Sequence, residues 1–371
     1  MSDLFPILGF DHLEFYVGNA KQAAVFYERC FGFSTIAYRG LETGNREIAS
    51  YVMQQNEIRF VLSSALDPTH PIALNATKHG DYVAVIALTV LDVDRAFEET
   101  TARGALGAIS PTEESDETGR FRYAAIYAYG NTMIKFVERC DYTGIFAPGF
   151  VPRAAEAEIS SRSTKESLET GLIKVDHVVG NVEQGTIDHW AKFFTDTLGF
   201  ELLIQFDDRA IATQYSSLTS KVMQNETGMI KLPINEPASG KGKSQIQEYL
   251  EYNHGAGVQH VACVTQNIIE TVTKLKQLGV EFLRVPKTYY ATLEAQIGQI
   301  EPSIDQLAEL GILVDRDASG YLLQIFTKPV QDRPTLFFEI IERHGSEGFG
   351  EGNFRSLFEA IEREQALRGN L

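Results

Sequence analysis

The sequence predicts an α+β protein of two tandem halves, in each of which a strand, a helix and several further strands follow one another. Three segments of the first half match three segments of the second, and the matches come in the same order along the chain. Self-similarity of this kind indicates duplication of a structural unit. The matched segments are 9–33 with 174–200, 79–87 with 254–262, and 134–139 with 338–343.

The first match in each half predicts a short strand followed by a helix. Each helix carries aromatic residues at helical spacing and is closed by a Gly-Phe pair, Gly32-Phe33 in the first half and Gly199-Phe200 in the second. Apolar residues that recur every three or four positions are typical of a helix with one buried face. The same elements are therefore expected at the start of both halves.

A polar segment at 154–169, which lacks aromatic residues, predicts a linker between the halves. A chain of 371 residues is long enough for two domains with full cores. The boundary is expected near residue 155, which gives an N-terminal domain at 1–155 and a C-terminal domain at 156–371.

The end of the chain predicts a helix at 353–368, preceded by a glycine-rich hinge at 345–352. Asn353 is a candidate N-cap for this helix. A terminal amphipathic helix after a glycine hinge could close over a pocket, or it could be an ordinary helix docked on the core. The apolar positions at helical spacing are Phe354, Leu357, Phe358 and Ile361.

Composition and charge exclude several classes of partner. A hydrophobic content of 44% and a charged content of 22% are ordinary for a soluble globular protein. The net charge of -17 argues against nucleic acid or an anionic membrane as the main partner. Cys30, Cys140 and Cys263 contain no CxxC pair, which excludes a thiolate zinc cluster and suits a reducing compartment. The sequence lacks a leader-like segment and a long apolar run, so a cytoplasmic location is expected.

Residues 321–344 predict two adjacent strands around a proline-containing turn. Side chains alternate along a strand, so Gln324 and Phe326 share one face of the first strand, and Phe337 and Glu339 share one face of the second. Desolvating an unpaired carboxylate costs several kcal/mol, so Glu339 in an otherwise apolar run needs a cationic partner such as a metal. The alternative is an edge strand with Glu339 in water.

Overlaying the two halves shows what distinguishes them. The second half has His177, His260 and Glu339 where the first half has His12, Val85 and Lys135. Two neutral imidazoles and one carboxylate are the facial triad that suits non-haem Fe(II), and this triad leaves positions for substrate and dioxygen. The first half lacks this donor set, since valine has no donor atom and lysine brings a cation. A histidine taken alone is also often an ordinary hydrogen-bonded core residue.

Four longer motifs carry a resemblance to a known family. The second half resembles the 4-hydroxyphenylpyruvate dioxygenase family of the vicinal oxygen chelate superfamily, and the first half is similar to the degenerate first domain of that family. The resemblance implies two tandem domains of repeated βαβββ modules, with no metal in the first domain and a C-terminal lid helix. The motifs are VDHVVGNV at 175–182, LPINEP at 232–237, SQIQEYLEYNHGAGVQHVA at 244–262, and the segment 322–354.

The same resemblance implies one Fe(II) per chain, held by His177, His260 and Glu339. It implies polar residues that act on the substrate and apolar residues that hold its ring, by stacking and by uncharged hydrogen bonds to the phenol hydroxyl. Strict strand alternation places Gln259 opposite to His260, so the expected role of Gln259 depends on the resemblance. The polar residues are Ser220, Asn235, Gln245, Gln259 and Gln324, and the substrate-binding residues are Phe326, Phe337, Phe349, Asn353 and Phe354.

The activity implied by the resemblance is conversion of 4-hydroxyphenylpyruvate and dioxygen to homogentisate and carbon dioxide, in tyrosine and phenylalanine catabolism, by a homo-oligomer. Hydroxymandelate synthase uses the same reactants and oxidises the benzylic carbon instead, and it is the nearest alternative. An extradiol ring-cleaving dioxygenase and a metal-free binding protein of the same superfamily are more distant alternatives. A ferrous ion with two imidazoles and one carboxylate carries a formal single positive charge, which an anionic 2-oxo acid neutralises.

Overall fold

The structure is a computed structural model, and it describes residues 4–153, 169–206, 217–238, 242–291, 293 and 297–370. Within these residues each half contains one mixed β-sheet with helices packed against it. The predicted boundary near residue 155 and nearly all of the predicted linker lie outside the described residues. The described helices include none that is long and apolar enough to cross a membrane.

The N-terminal half begins with strand β1 and helix α1, as the sequence predicts. Its strands are β1 Ile7–Tyr16, β2 Ser34–Arg39, β3 Ile48–Gln55, β4 Ile58–Ala65, β5 Tyr82–Val90, β6 Gly107–Asp116, β7 Gly119–Tyr127, β8 Met133–Tyr142 and β9 Val151–Pro152. Its helices are α1 Ala20–Phe31, α2 Pro71–His79 and α3 Val93–Ala102.

The C-terminal half repeats this order of elements, with two described helices added before its last three strands and one helix after them. Its strands are β10 Leu172–Asn181, β11 Glu201–Phe206, β12 Ser217–Gln224, β13 Lys231–Ala238, β14 Gly257–Thr265, β15 Leu313–Arg316, β16 Tyr321–Phe326 and β17 Phe337–His344. Its helices are α4 Ile187–Leu198, α5 Gln245–Asn253, α6 Ile268–Gln277, α7 Lys287–Tyr290, α8 Ile304–Leu310 and α9 Phe354–Leu367.

The two sheets have the same topology, which confirms the predicted duplication and the α+β class. In the described residues the first sheet has the order β6-β7-β8-β5-β1-β4-β3-β2-β9, and the second has β15-β16-β17-β14-β10-β13-β12-β11. In each, the first strand is antiparallel to one neighbour and parallel to the other. The strands predicted at 321–327 and 335–341 are β16 and β17, which pair antiparallel.

The Gly-Phe pairs end their helices by the same geometry in both halves. Gly32 and Gly199 have φ angles of 74° and 77°, which a residue without a Cβ adopts most easily. The next amide then turns back, so that Phe33 N–H donates to the Tyr27 carbonyl and Phe200 N–H to that of Phe194. The chain is thereby directed into the following strand.

Phe338 of β17 joins the two halves through a shared aromatic core. Its ring centroid lies 5.1 Å from that of Phe31, 5.9 Å from that of Phe60 and 6.0 Å from that of Tyr27. Because side chains alternate along a strand, Phe337 and Glu339 then point to the opposite face of the second sheet. The first half therefore supports the back of the strand that carries Glu339.

The turn between β16 and β17 makes a second contact between the halves. Gln331 Nε2 donates to the Asp81 carbonyl at 2.8 Å. The Arg333 guanidinium donates to the carbonyls of Lys78 at 2.5 Å and Thr77 at 3.0 Å, at the C-terminal end of α2. A cation is favourable there because the last carbonyls of a helix carry partial negative charge. The predicted turn therefore also holds the second half against the first.

Candidate metal centre

Three adjacent strands, β10, β14 and β17, bring His177, His260 and Glu339 together. Across these strands His177 and Glu339 both pair with Ala262, which lies between them on β14. The small alanine side chain leaves room above the sheet for the two longer side chains to converge. His260 precedes Ala262 by two residues and therefore lies on the same face of the strand.

The three side chains present a compact donor set. His177 Nε2 lies 3.3 Å from Glu339 Oε2, and His260 Nε2 lies 3.5 Å from the same oxygen. All three residues are buried, and their ligand atoms lie within 4.8 Å of one another. Metal–ligand bonds of about 2.0–2.2 Å place neighbouring donor atoms about 3 Å apart, so this arrangement fits a single metal ion. The edge-strand alternative for Glu339 is wrong, because its side chain is 4% exposed.

A hydrogen bond orients each imidazole. His177 Nδ1 lies 2.7 Å from Asp176 Oδ2, and His260 Nδ1 lies 3.0 Å from Gln259 Oε1. Acceptors at both Nδ1 atoms favour the tautomer that carries its proton there, which leaves Nε2 free to bind a metal.

Both orienting residues are extra residues in the pairing of β10 with β14. The register shifts between Val175 and His177 of β10, which makes Asp176 a bulge, and between His260 and Val258 of β14, which makes Gln259 a bulge. A bulge re-aims its side chain, so strict alternation fails there. The expectation that Gln259 lies opposite to His260 is corrected for this reason, since Gln259 lines the same cavity.

The charges of the site favour an ionised carboxylate. Burial raises the pKa of Glu339, but the neighbouring His177 and His260 outweigh burial and lower that pKa below its ordinary value. Burial also lowers the pKa of His260, whereas Glu339 and Asp176 outweigh burial at His177 and raise its pKa. The site therefore offers an anionic ligand and a neutral imidazole at neutral pH, as cation binding requires.

A cavity of about 590 Å³, partly open to solvent, lies over the three residues. Most of the wall is apolar or aromatic, and the polar side chains besides the three candidate ligands are uncharged. Eight of the ten predicted pocket residues line this cavity, namely Ser220, Asn235, Gln245, Gln259, Phe326, Phe337, Phe349 and Phe354.

Gln324 and Asn353 are not among the residues that line this cavity. The Gln324 amide lies against Gly350, where an added Cβ would meet its nitrogen at 2.3 Å. Asn353 lies at the start of α9 but does not cap the helix, and its Oδ1 instead accepts from the Tyr289 hydroxyl at 2.7 Å. Both side chains are buried, and Gln324 Oε1 and Asn353 Nδ2 have no hydrogen-bond partner among the described residues.

Helix α9 forms one wall of the cavity, which corresponds to the terminal helix that the sequence predicts. Phe354 packs against Phe206 with ring centroids 5.1 Å apart. At the far end, Arg368 Nη2 lies 2.7 Å from the buried Glu248 carboxylate. The helix is thus docked on the core and covers the site at once, which combines the two alternatives that the sequence left open.

Sequence reasoning missed nine apolar residues of the cavity wall. Helical spacing identified Leu357, Phe358 and Ile361 as the buried face of α9, but that spacing does not show what the face covers. The others come from strands and from α5, and their positions depend on how the sheet curves around the cavity. The nine are Val179, Phe206, Leu218, Val222, Pro233, Ile246, Leu357, Phe358 and Ile361.

The fold and the donor set define an oxygenase-type protein of two repeated halves, with one candidate metal centre among the residues that the structure describes. The chain matches the family described as the Glyoxalase/Bleomycin resistance protein/Dioxygenase superfamily over residues 9–128 and 174–325, one match in each half.

Within that superfamily the chain belongs to the 4-hydroxyphenylpyruvate dioxygenase family. It is 45% identical to the 4-hydroxyphenylpyruvate dioxygenase of Neurospora crassa, with 100% of this chain and 94% of the relative covered. It is 46% identical to that of Dictyostelium discoideum, with 98% and 100% covered, and 46% identical to that of Danio rerio, with 98% and 92% covered.

Solved structures show the same fold. A mutant of 4-hydroxymandelate synthase from Streptomyces coelicolor superposes with a TM-score of 0.83 at 29% identity, covering 97% of this chain and 99% of that one. A fusion of a xylose isomerase-like TIM barrel with 4-hydroxyphenylpyruvate dioxygenase gives a TM-score of 0.70 at 21% identity, covering 97% of this chain and 53% of that one.

Proposed function

We propose that this chain is an Fe(II)-dependent dioxygenase that converts 4-hydroxyphenylpyruvate and dioxygen to homogentisate and carbon dioxide, in tyrosine and phenylalanine catabolism. The observation that carries the proposal is the trio of His177, His260 and Glu339 at the base of a cavity with aromatic walls and uncharged polar groups. Relatives 44–46% identical over the whole chain bear the name of this enzyme.

Iron(II) is the proposed metal because two imidazoles and one carboxylate on one face leave coordination positions for a substrate and for dioxygen. When bound, the iron supplies the redox chemistry that couples decarboxylation of the 2-oxo acid to hydroxylation of its ring. Asp176 orients the His177 ring and Gln259 orients the His260 ring for this ion, each through a hydrogen bond with the Nδ1 atom of the imidazole.

The aromatic residues are proposed to hold the substrate ring. The Phe337 ring stacks on His260 with a centroid distance of 4.8 Å and an interplanar angle of 19°. The Phe349 ring meets His177 edge-on at 5.3 Å. Flat apolar surfaces beside two of the three ligands would orient a phenyl ring next to the metal and exclude water from it.

Uncharged polar residues are proposed to bind the phenol hydroxyl. Ser220 and Asn235 pair across β12 and β13, so their side chains lie beside each other at the cavity wall. Gln245 Oε1 is buried and accepts no hydrogen bond from the described residues, which leaves an acceptor for a ligand hydroxyl. Amides and hydroxyls can both donate and accept, and they recognise a neutral phenol without adding charge. Gln324 and Asn353 would support this wall from behind.

The charge of the site supports an anionic 2-oxo acid as the substrate. A ferrous ion with two neutral imidazoles and the Glu339 carboxylate carries one net positive charge. The described residues that line the cavity include no lysine or arginine, so the metal is the positive charge available to the substrate. A chain of net charge -17 can thus bind an anion.

Iron and substrate binding can be tested together without oxygen. Anaerobic addition of Fe(II) and then 4-hydroxyphenylpyruvate should give a weak visible charge-transfer band that saturates at one iron per chain. After oxygen is admitted, chromatography should identify homogentisate. Hydroxymandelate as the main product would instead favour the activity named for the Streptomyces coelicolor relative, whose fold this chain shares. Turnover of a catechol without a 2-oxo acid would favour a ring-cleaving enzyme, and absence of bound iron and of oxygen uptake would favour a metal-free binding protein.

We also propose that the two halves are separate domains of which only the second is catalytic. The matching sheets support a metal-free domain at 1–155 and a catalytic domain at 156–371. The free thiols of Cys30 and Cys263 support a reducing compartment such as the cytoplasm. We also propose a homo-oligomer, which sedimentation of the purified chain would test.

A further inference from the structure

Arg343 of β17 contacts both the orienting residue of His177 and the loop that carries Phe349. Its Nε lies 2.9 Å from Asp176 Oδ1 and its Nη2 lies 2.7 Å from Asp176 Oδ2, a fork of two parallel hydrogen bonds. The same Asp176 Oδ2 atom also lies 2.7 Å from His177 Nδ1. Planar bidentate pairs fix geometry as well as supplying attraction.

The remaining nitrogen of the same guanidinium holds the loop after β17. Arg343 Nη1 donates to the Gly348 carbonyl at 2.7 Å and to the Ser346 carbonyl at 3.2 Å. Phe349 follows directly, with its ring 5.8 Å from the guanidinium and 5.3 Å from the His177 ring. The Arg343 side chain therefore contacts Asp176, which orients His177, and the loop that positions the Phe349 ring at the cavity wall.

The N-terminal half contains the same arrangement without the metal trio. Arg139 Nε and Nη2 lie 2.6 and 2.9 Å from the two oxygens of Asp11. His12 Nδ1 lies 2.5 Å from Asp11 Oδ1, and Arg139 also donates to the Phe146 carbonyl. The exposed fractions of the two arginine side chains are similar, 19% for Arg139 and 17% for Arg343. Arg139 is thus a matched internal control for Arg343.

We propose that Arg343 is a positioning residue that fixes the His177 ring and the Phe349 wall together, and that both metal affinity and substrate binding depend on its forked geometry. This inference rests on the proposed function, because it assigns His177 to the metal. If Arg343 only stabilised the fold, replacing Arg343 and replacing Arg139 would change the metal affinity of the chain equally.

The test compares Arg343→Lys with Arg139→Lys in the full-length chain. Lysine keeps the positive charge and loses the fork. Loss of a group that orients a metal ligand costs about 10- to 100-fold in metal affinity. Because Arg343 acts on His177 through Asp176, Arg343→Lys should weaken Co(II) binding by about tenfold, measured by visible absorption, and should also raise KM for 4-hydroxyphenylpyruvate. Arg139→Lys should change the Co(II) affinity less than twofold, while the melting temperatures of the two metal-free variants fall by similar amounts.

Equal Co(II) affinities in the two variants would overturn the proposal. Should Arg343→Lys fail to fold, Arg343→Gln and Arg139→Gln make the same comparison, since glutamine keeps a hydrogen-bond donor and loses the fork. Co(II) binding by the wild-type chain without turnover of 4-hydroxyphenylpyruvate would contradict the proposed function alone, and the comparison of metal affinities would still decide the role of Arg343.

Discussion

The two halves of the molecule share a framework and differ in what occupies it. In the first sheet, Ala87 is the cross-strand neighbour of both His12 and Lys135. In the second sheet, Ala262 is the cross-strand neighbour of both His177 and Glu339. The bulge before the histidine, the aspartate within it and the arginine fork are present in both halves. The framework is therefore common to both halves, and Val85 and Lys135 stand in the first half where the second half has the donor residues His260 and Glu339.

The N-terminal site is neutralised by its own side chains. Lys135 projects over the Tyr123 ring at 4.5 Å, and burial lowers its pKa, partly offset by Glu14 and Asp11. Glu14, which pairs with Val85, occupies the position of Val179 in the second half and accepts from the Ser63 hydroxyl at 2.7 Å. The first half thus has a lysine at the strand position where the second half has Glu339.

The first half, which lacks the donor set, supports strand β17 of the second half from behind. Phe338 lies between Phe337 and Glu339, the two residues of β17 that face the cavity. Its ring packs against Phe31 and Phe60 of the first half. That packing fixes the strand from behind while Glu339 faces the cavity. Either half can therefore be altered with the other half as its reference.

The largest effect is expected from His260→Val, which gives the second half the residue that the first half has. The chain should stay folded, since the equivalent strand accommodates Val85 at 2% exposure. Metal binding should be lost and activity should fall by about three orders of magnitude or more. Metal analysis and oxygen uptake measure both. His12→Ala is the control and should keep wild-type iron content; retention of iron by His260→Val would refute the ligand assignment.

The reverse change should create a second metal site. The triple variant Glu14→Val, Val85→His and Lys135→Glu restores the ligand set around His12, whose Nδ1 is already oriented by Asp11. Co(II) titration should then reach two ions per chain instead of one. The double variant without Val85→His serves as the reference and should bind one ion. A stoichiometry of one in the triple variant would mean that the framework of the first half cannot hold a metal.

A smaller difference is expected between Phe349→Ala and Phe146→Ala. Phe146 meets His12 at 5.2 Å as Phe349 meets His177 at 5.3 Å. Loss of the ring at Phe349 should raise KM for 4-hydroxyphenylpyruvate about tenfold. Loss of the buried Phe146 should lower the free energy of unfolding by about 3 kcal/mol and leave KM unchanged. Steady-state kinetics and denaturant unfolding separate the two results, and a higher KM in Phe146→Ala would show that the halves are not independent.

The smallest effect is expected from Lys135→Met. The folded chain holds the Lys135 proton less tightly than the unfolded chain does, where the pKa has its ordinary value of 10.5. Wild-type stability should therefore rise with pH between the folded pKa and 10.5, and the variant should lack this rise. The stability of the wild-type chain relative to the variant should therefore be lower at pH 7 than at pH 10.5. Urea unfolding at several pH values measures it; a difference independent of pH would contradict the pKa shift.

Several features of the protein were determined by the sequence alone. The duplication, the strands β16 and β17, the terminal helix and the candidate trio follow from local patterns and from comparing one half with the other. These signals survive in a linear chain because periodicity and repeat spacing are properties of neighbouring residues. Eight pocket residues were also identified, through resemblance to a family.

Tertiary structure alone decided the remaining features of the site. The face on which Gln259 lies depends on a bulge, which is a property of two paired strands and not of one sequence segment. Gln324 lies against Gly350, Asn353 accepts from the Tyr289 hydroxyl, and neither is among the residues that line the cavity. The contacts of Arg343 join Asp176, 167 residues away, to the loop that holds Phe349. Contacts between such distant segments form only when the chain folds, because packing brings those segments together.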